Sequence, residues 1–212
     1  TGAAGGQVSL HLGLKAPSIT ISTGCDCSTS ACVQAAEMII RGDVDVMFAG
    51  GADAPIHPII VAAFGVSYAL SDRNDEPHRA SRPFDRRRDG FVMGEGGCIL
   101  ILEELEHAQR RGAHIYAEMT GWGSTCDAHH MCHPDPSGEQ AARALELALA
   151  KAGVRPEHVD YLSTHGTSTP LGDKAATLAI KRVFGDHAYN LPSSSIKSTL
   201  GHMQGACGST EM

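Results

Sequence analysis

Apolar positions along the chain fall into short runs whose period switches between strand-like alternation and helical spacing. Ser18-Ile19-Thr20-Ile21-Ser22-Thr23 alternates β-branched and hydroxyl residues, then breaks at Gly24. Ala31, Ala35, Ala36, Met38, Ile39 and Ile40 follow at mostly helical spacing until Arg41-Gly42-Asp43. The pattern predicts a strand over 17–23, a tight turn, and a helix over 25–41. Ahead of it, residues 1–13 are small and Gly-rich and read as the tail of a helix. Residues 44–49 predict a second, buried strand closed by Gly50-Gly51, and 58–68 a short helix. Residues 71–88 are polar, carry Pro77 and Pro83, and predict a long loop. Residues 98–102 predict a strand, and 103–111 a helix capped by Gly112.

From Ile115 the alternation begins again. A strand is predicted over 115–121. A helix is predicted over 137–152, with Ser137 as N-cap, Gln140 in the capping-box position and Gly153 as C-cap. A strand over 159–164 ends in His165-Gly166-Thr167, a helix covers 173–184, and a strand over 193–198 runs into Gly201-His202. A final helix starts before Met212. Such alternation predicts an α/β fold around a buried sheet, in two parts, 1–114 and 115–212.

Composition narrows the class. The chain has 212 residues, 42% hydrophobic and 19% charged, which is enough for a sizeable core. No apolar run is long enough to cross a membrane and no segment has a signal-peptide layout. The net charge of -7 argues against a nucleic-acid partner. Seven cysteines without disulfide-scaffold spacing predict a reducing cytoplasm.

Three stretches carry candidate chemistry. Cys25 falls where the predicted turn meets the predicted helix, and free N–H groups and the positive dipole end there favour thiolate. This is the placement of a nucleophile elbow, written with sulfur; the alternative is a buried small hydrophobe. His165-Gly166-Thr167-Ser168-Thr169-Pro170-Leu171-Gly172-Asp173 presents a histidine at a strand end. Lys197-Ser198-Thr199-Leu200-Gly201-His202-Met203-Gln204-Gly205-Ala206 places a lysine and a second histidine about a turn that leads into a helix. One histidine alone is more often structural, but two strand-end histidines with a helix-start cysteine point to covalent thiol chemistry. Metal binding competes, at Cys25-x-Cys27 and at His129-His130-Met131-Cys132-His133. Zinc sites favour paired Cys-x2-4-Cys motifs, so no metal is predicted. The mixed-charge stretch Arg82 to Gly90 is either a solvated face or an ion-paired loop pinned beneath a site.

Together these stretches resemble the β-ketoacyl synthases, the condensing enzymes of fatty-acid and polyketide synthesis. The likeness runs over nearly the whole chain. It comprises Thr23-Gly24-Cys25, Ala49-Gly50-Gly51, Arg82-Pro83-Phe84-Asp85, Arg88-Asp89-Gly90-Phe91-Val92, Gly94-Glu95-Gly96, the His165 to Asp173 stretch, and Lys197-Ser198 with Gly201-His202. It points to the elongating, dimeric type II synthases. The resemblance implies a partial thiolase-like fold, layered α/β/α/β/α, with the end of an N-terminal half in 1–114 and most of a C-terminal half in 115–212. It implies decarboxylative Claisen condensation of an acyl thioester with malonyl-acyl carrier protein, without metal or organic cofactor. Cys25 then matches the acyl-accepting nucleophile, and His165 and His202 the pair that binds the malonyl thioester and drives decarboxylation. Lys197 matches the lysine that orders this site, Glu211 its acidic partner, and Asp173 a structural acid.

The resemblance also implies a homodimer and an acyl carrier protein partner, met through a local basic patch because the chain is net negative. Arg73, Arg79 and Arg82 are candidates for that patch. These synthases are much longer than this chain, which implies an internal portion, inactive alone, without the last Gly-rich loop of the oxyanion hole. Cys27, Ala176 and Cys207 depart from the family pattern, which there has Ser or a small residue, often Glu, and Ala. Asp26 is an unusual neighbour that would raise the thiol pKa if both faced the cleft. Thiolases, chalcone-type synthases and non-catalytic chain-length-factor subunits are the rival classes. The Cys/His/His set argues against the first two, and the presence of Cys25 against the third.

Overall fold

The computed structural model describes residues 2–212. In chain order its elements are α1 (Ala3–Leu12), α2 (Cys27–Ile40), β1 (Val46–Asp53), α3 (Pro58–Val66), β2 (Gly96–Glu103) and α4 (Leu105–Arg110). They are followed by α5 (Glu139–Ala152), β3 (Leu162–Ser163), α6 (Pro170–Phe184), β4 (Ser193–Ser194), α7 (Lys197–Leu200) and α8 (Cys207–Glu211). No described helix is long and apolar enough to cross a membrane.

The chain folds as two compact units that do not follow chain order. One comprises the chain up to Asp53, Glu95–Glu118 and Met203–Met212; the other comprises Ala54–Gly94 and Met119–His202.

In the first unit, β1 and β2 pair antiparallel, with Val46 opposite Glu103 and Gly50 opposite Ile99. Helix α2 packs on β1 and α8, burying Ser28, Cys32, Ala35, Ala36 and Met38 at helical spacing. Met203, Ala206 and Cys207 form a buried cluster. The expected strand stop at Gly50-Gly51 is corrected: β1 runs through both glycines to Asp53. They serve close approach instead, because a Cβ at Gly51 would stand 2.6 Å from Gly205 O and 2.9 Å from Ser28 Cβ.

In the second unit, α5 packs on α6, and Ala142, Ala175, Ala179 and Phe184 are buried. Thr169 caps α6 by accepting from Gly172 N at 3.2 Å, with Pro170 at the first helical position. The expected N-cap Ser137 is corrected to Gly138, at φ 65°, while Ser137 Oγ accepts from Glu139 N at 3.2 Å. Strands β3 and β4 pair parallel in a two-residue ladder.

Two expected strands are absent among the described residues. The stretches 17–23 and 115–121 are irregular, although both are rich in strand-forming residues. Propensity alone does not make a strand, since each also needs a neighbour to take up its backbone N–H and C=O groups. The strand expected over 193–198 stops early: Lys197 and Ser198 instead open the short helix α7.

Candidate active site

Gly24, at φ 83°, turns the chain into a 3-10 turn over Gly24–Asp26 that continues as α2. Cys25 is half-buried in that turn, and its Sγ donates to Gln204 Oε1 at 3.8 Å. Gln204 opens a 3-10 turn at φ 48°. Two contacts anchor this segment: Gly205 N donates to Asp53 Oδ2 at 3.3 Å, and Ser209 N donates to Ser28 Oγ at 3.0 Å. Cys27 is engaged in the turn itself, donating to Gly24 O at 2.8 Å and accepting from Thr23 N at 3.2 Å. Asp26 is turned along α2, its Oδ2 accepting from Ser30 Oγ at 2.9 Å.

The parallel register of β3 and β4 brings the segments that leave the two strands to one end of the ladder. His165 emerges just after β3, and Lys197 opens α7 just after β4. Lys197 is 1% exposed, and its Nζ stands 3.3 Å from His165 Nδ1. An ammonium can only donate, so Nδ1 accepts and the neutral ring carries its proton on Nε2.

His202 is held by its backbone, donating to Val92 O at 2.7 Å and accepting from Gly94 N at 2.9 Å. Its ring stands edge-on to His165 at 5.3 Å between centroids and against Phe91 at 5.0 Å. Desolvation of the ring by surrounding protein, then the Lys197 ammonium, then the His202 ring disfavour the imidazolium of His165 and hold its pKa at about 3, although part of the residue reaches solvent. Burial first and Lys197 second hold His202 at about 4. Both rings are therefore neutral near pH 7.

Asp173 organises the turn after His165. It is 1% exposed, accepts from Phe84 N at 2.7 Å and Ser168 N at 3.2 Å, and stands 3.4 Å from Arg88 Nε. Burial pushes its carboxyl up, against these donors. Arg88 also donates to Thr169 O at 3.1 Å and Pro170 O at 2.8 Å. Arg82 N donates to Ser168 Oγ at 3.1 Å, and Ser81 Oγ to Lys197 O at 2.5 Å. Of the two alternatives for the Arg82 to Gly90 stretch, the pinned, ion-paired loop is the one observed. Sequence reasoning missed Ser81 and Ser195 and gave Gln204 no role of its own, since the contacts of all three are to partners far away in the chain.

Of the three arginines expected in a basic patch, Arg82 is the one the structure removes from the surface. Arg82 is 9% exposed at its side chain, with Nε donating to Arg79 O and Nη1 beside Asp85, so it is spent within its own loop. Arg73 lies against Asp89 and Arg87 O. Arg79 remains about half exposed, beside Glu76. In the histidine-rich loop, His130 Nδ1 accepts from Cys132 N at 3.0 Å and His133 N at 3.2 Å, which commits one ligand atom to the turn. Glu211 is half-buried at the end of α8.

Comparison with known proteins places this arrangement. The family model described as beta-ketoacyl synthase, N-terminal domain, matches residues 1–108, and that for the C-terminal domain matches 116–212. The chain is 49% identical over 208 residues to 3-oxoacyl-[acyl-carrier-protein] synthase 2 of Coxiella burnetii, covering 98% of this chain and 50% of the relative. It thus spans about half the length of the curated relatives it matches. Among solved structures, it matches a chain of a type II PKS acyl-carrier protein in complex with its ketosynthase bound to the hexaketide. The TM-score is 0.96 at 40% identity, covering 99% of this chain and 52% of that one. A beta-ketoacyl synthase from Burkholderia phymatum matches with TM-score 0.90 at 45% identity, over 96% of this chain and 48% of the other. The α/β fold is therefore the thiolase-like fold of the ketosynthases, seen in part. By these matches the chain belongs to the β-ketoacyl synthase family.

Proposed function

We propose that this chain carries the central catalytic part of a condensing enzyme that joins an acyl thioester to malonyl-acyl carrier protein, giving 3-oxoacyl-acyl carrier protein and CO2. Cys25 is the nucleophile. Its thiolate attacks the acyl-carrier thioester and expels the carrier thiolate, which takes up a proton. Malonyl-carrier then loses CO2, and the electron pair of the broken C–C bond forms an enolate at the thioester. His165 and His202 donate N–H bonds to that oxygen as charge develops on it. The enolate carbon attacks the acyl-Cys25 carbonyl, and Cys25 leaves as thiolate. Lys197 and Glu211 order the site, and Asp173 holds the His165 turn.

The observation that carries this reading is the Lys197 contact to His165 Nδ1, which leaves a neutral ring with Nε2–H as donor. An oxyanion needs a donor of that kind, and a base would need a free lone pair. Chain connectivity adds support: Gln204, the partner of the Cys25 thiol, follows His202 by two residues. The seven free cysteines support a reducing, cytoplasmic setting.

We assign the acyl carrier protein and a second copy of the synthase as partners, on the family relationship. The division into 1–114 and 115–212 is retained as the two halves of the synthase fold. The test uses the full-length synthase with acyl-carrier and malonyl-carrier, following 3-oxoacyl-carrier by mass. Cys25→Ser should abolish product. Product formed at the unsubstituted rate by Cys25→Ser would refute the assignment.

A further inference from the structure

Ser195 is buried, 6% exposed, and lies between the two segments that bring Lys197 and His165 together. Its hydroxyl donates to Gly166 O at 2.8 Å and stands 3.4 Å from His165 O. The same oxygen accepts from Lys197 N at 3.3 Å. The packing is close: a Cβ on Gly166 would stand 2.6 Å from Ser195 Cβ and 3.0 Å from its Oγ. These contacts close a ring. It runs from the His165 backbone through Gly166 O and the serine hydroxyl to Lys197 N, and returns from Lys197 Nζ to the imidazole Nδ1.

We propose that Ser195 is a positioning residue that sets the Lys197–His165 contact and thereby fixes His165 as its Nε2–H tautomer. The hydroxyl is suited to this task because it donates and accepts at once. One atom therefore fixes the carbonyl side of the His165 turn and the backbone amide that starts α7. Without it, the long lysine side chain has several rotamers that miss the ring, and the backbone at Gly166 loses its bond to the neighbouring segment. Catalytic contact with substrate is left to His165; Ser195 acts only through it. The proposal rests on the reading of His165 as an enolate-stabilising donor.

The experiment is histidine-selective 15N NMR on the full-length synthase, with His165 assigned by substitution. In the unsubstituted protein, Nδ1 should show the unprotonated, acceptor-type shift and Nε2 the protonated one. Ser195→Ala should convert this pattern to averaged shifts, and decarboxylation of malonyl-carrier should fall roughly tenfold in kcat with KM retained. Ser195→Thr keeps the hydroxyl and should restore the fixed pattern. If Ser195→Ala does not fold, Ser195→Cys carries the test, because it keeps the size and weakens the donor. An unchanged tautomer pattern in the folded alanine or cysteine variant would overturn the proposal. The functional reading fails separately, if His165→Ala leaves decarboxylation unchanged while the serine variants alter the spectrum as expected.

Discussion

Lys197 Nζ stands 3.3 Å from His165 Nδ1, with the lysine 1% exposed. A buried ammonium beside an imidazole decides the chemistry of that ring. It forbids a second positive charge and selects the tautomer. On the proposed reading, His165 thereby acts as a donor through Nε2–H rather than as a general base.

This has a consequence for pH. The pKa values of His165 and His202, about 3 and about 4, lie below the ordinary histidine value. Decarboxylation should therefore run level from about pH 5 to 8, with no titration near the ordinary histidine value of about 6.5. Stability has the opposite sign from a salt-bridged histidine. The unfolded chain binds more protons below about pH 6.5, so stability falls as pH drops from there toward about 4. Denaturant midpoints between pH 7 and 4 should show that fall, and His165→Asn/His202→Asn should flatten it. A midpoint equally pH-dependent in the double variant would contradict the assignment.

Cys25, and not Cys27, should take the acyl group. The Cys27 thiol is held between Gly24 O and Thr23 N, whereas Cys25 faces Gln204. Treatment with a thiol-directed acyl mimic and peptide mapping should place the label on Cys25. Cys27→Ala should keep labelling and cost about 1 kcal/mol of stability for the lost hydrogen bond. Label on Cys27 that survives Cys25→Ser would reverse the assignment.

The Arg88–Asp173 pair should carry a large share of local stability. Asp173 is buried and Arg88 is 17% exposed at its side chain, so removing one partner strands the other's charge. Arg88→Ala should cost about 3–5 kcal/mol in denaturant unfolding, as for other broken buried pairs. A loss below about 1 kcal/mol would show that water or another cation takes over, and the pinned-loop account would fail.

The nucleophile turn was legible in the sequence because its signals are local: Gly24 at positive φ, Cys25 after it, then a helix with small residues on one face. The helix expected over 173–184 was legible too, but it starts earlier, at Pro170 with Thr169 as cap. Pairing is not local. Stretches 17–23 and 115–121 have strand composition, yet neither joins a ladder among the described residues. Gly50-Gly51 looked like a stop, but the reason for glycine there is the approach of Gly205 O and Ser28 Cβ, far away in the chain. Arg82 looked like surface charge because the sequence does not show its contacts within the loop. Ser195 carries no signal of its own, and only Gly166 beside His165 hints that something packs close.

The division of labour between Cys25 and the histidines is tested most directly by separating the two half-reactions in the full-length synthase. Acylation of Cys25 is followed by intact mass, and decarboxylation by release of labelled CO2 from malonyl-carrier. The enolate forms only in the second, so donors aimed at its oxygen matter most there. His202→Ala should slow decarboxylation roughly 100- to 1000-fold, the usual cost of one oxyanion donor, and leave acylation far less affected. Lys197→Ala should show the same pattern more weakly, through the loss of the His165 tautomer. Equal losses in both half-reactions would contradict the account and make His202 the base that activates Cys25.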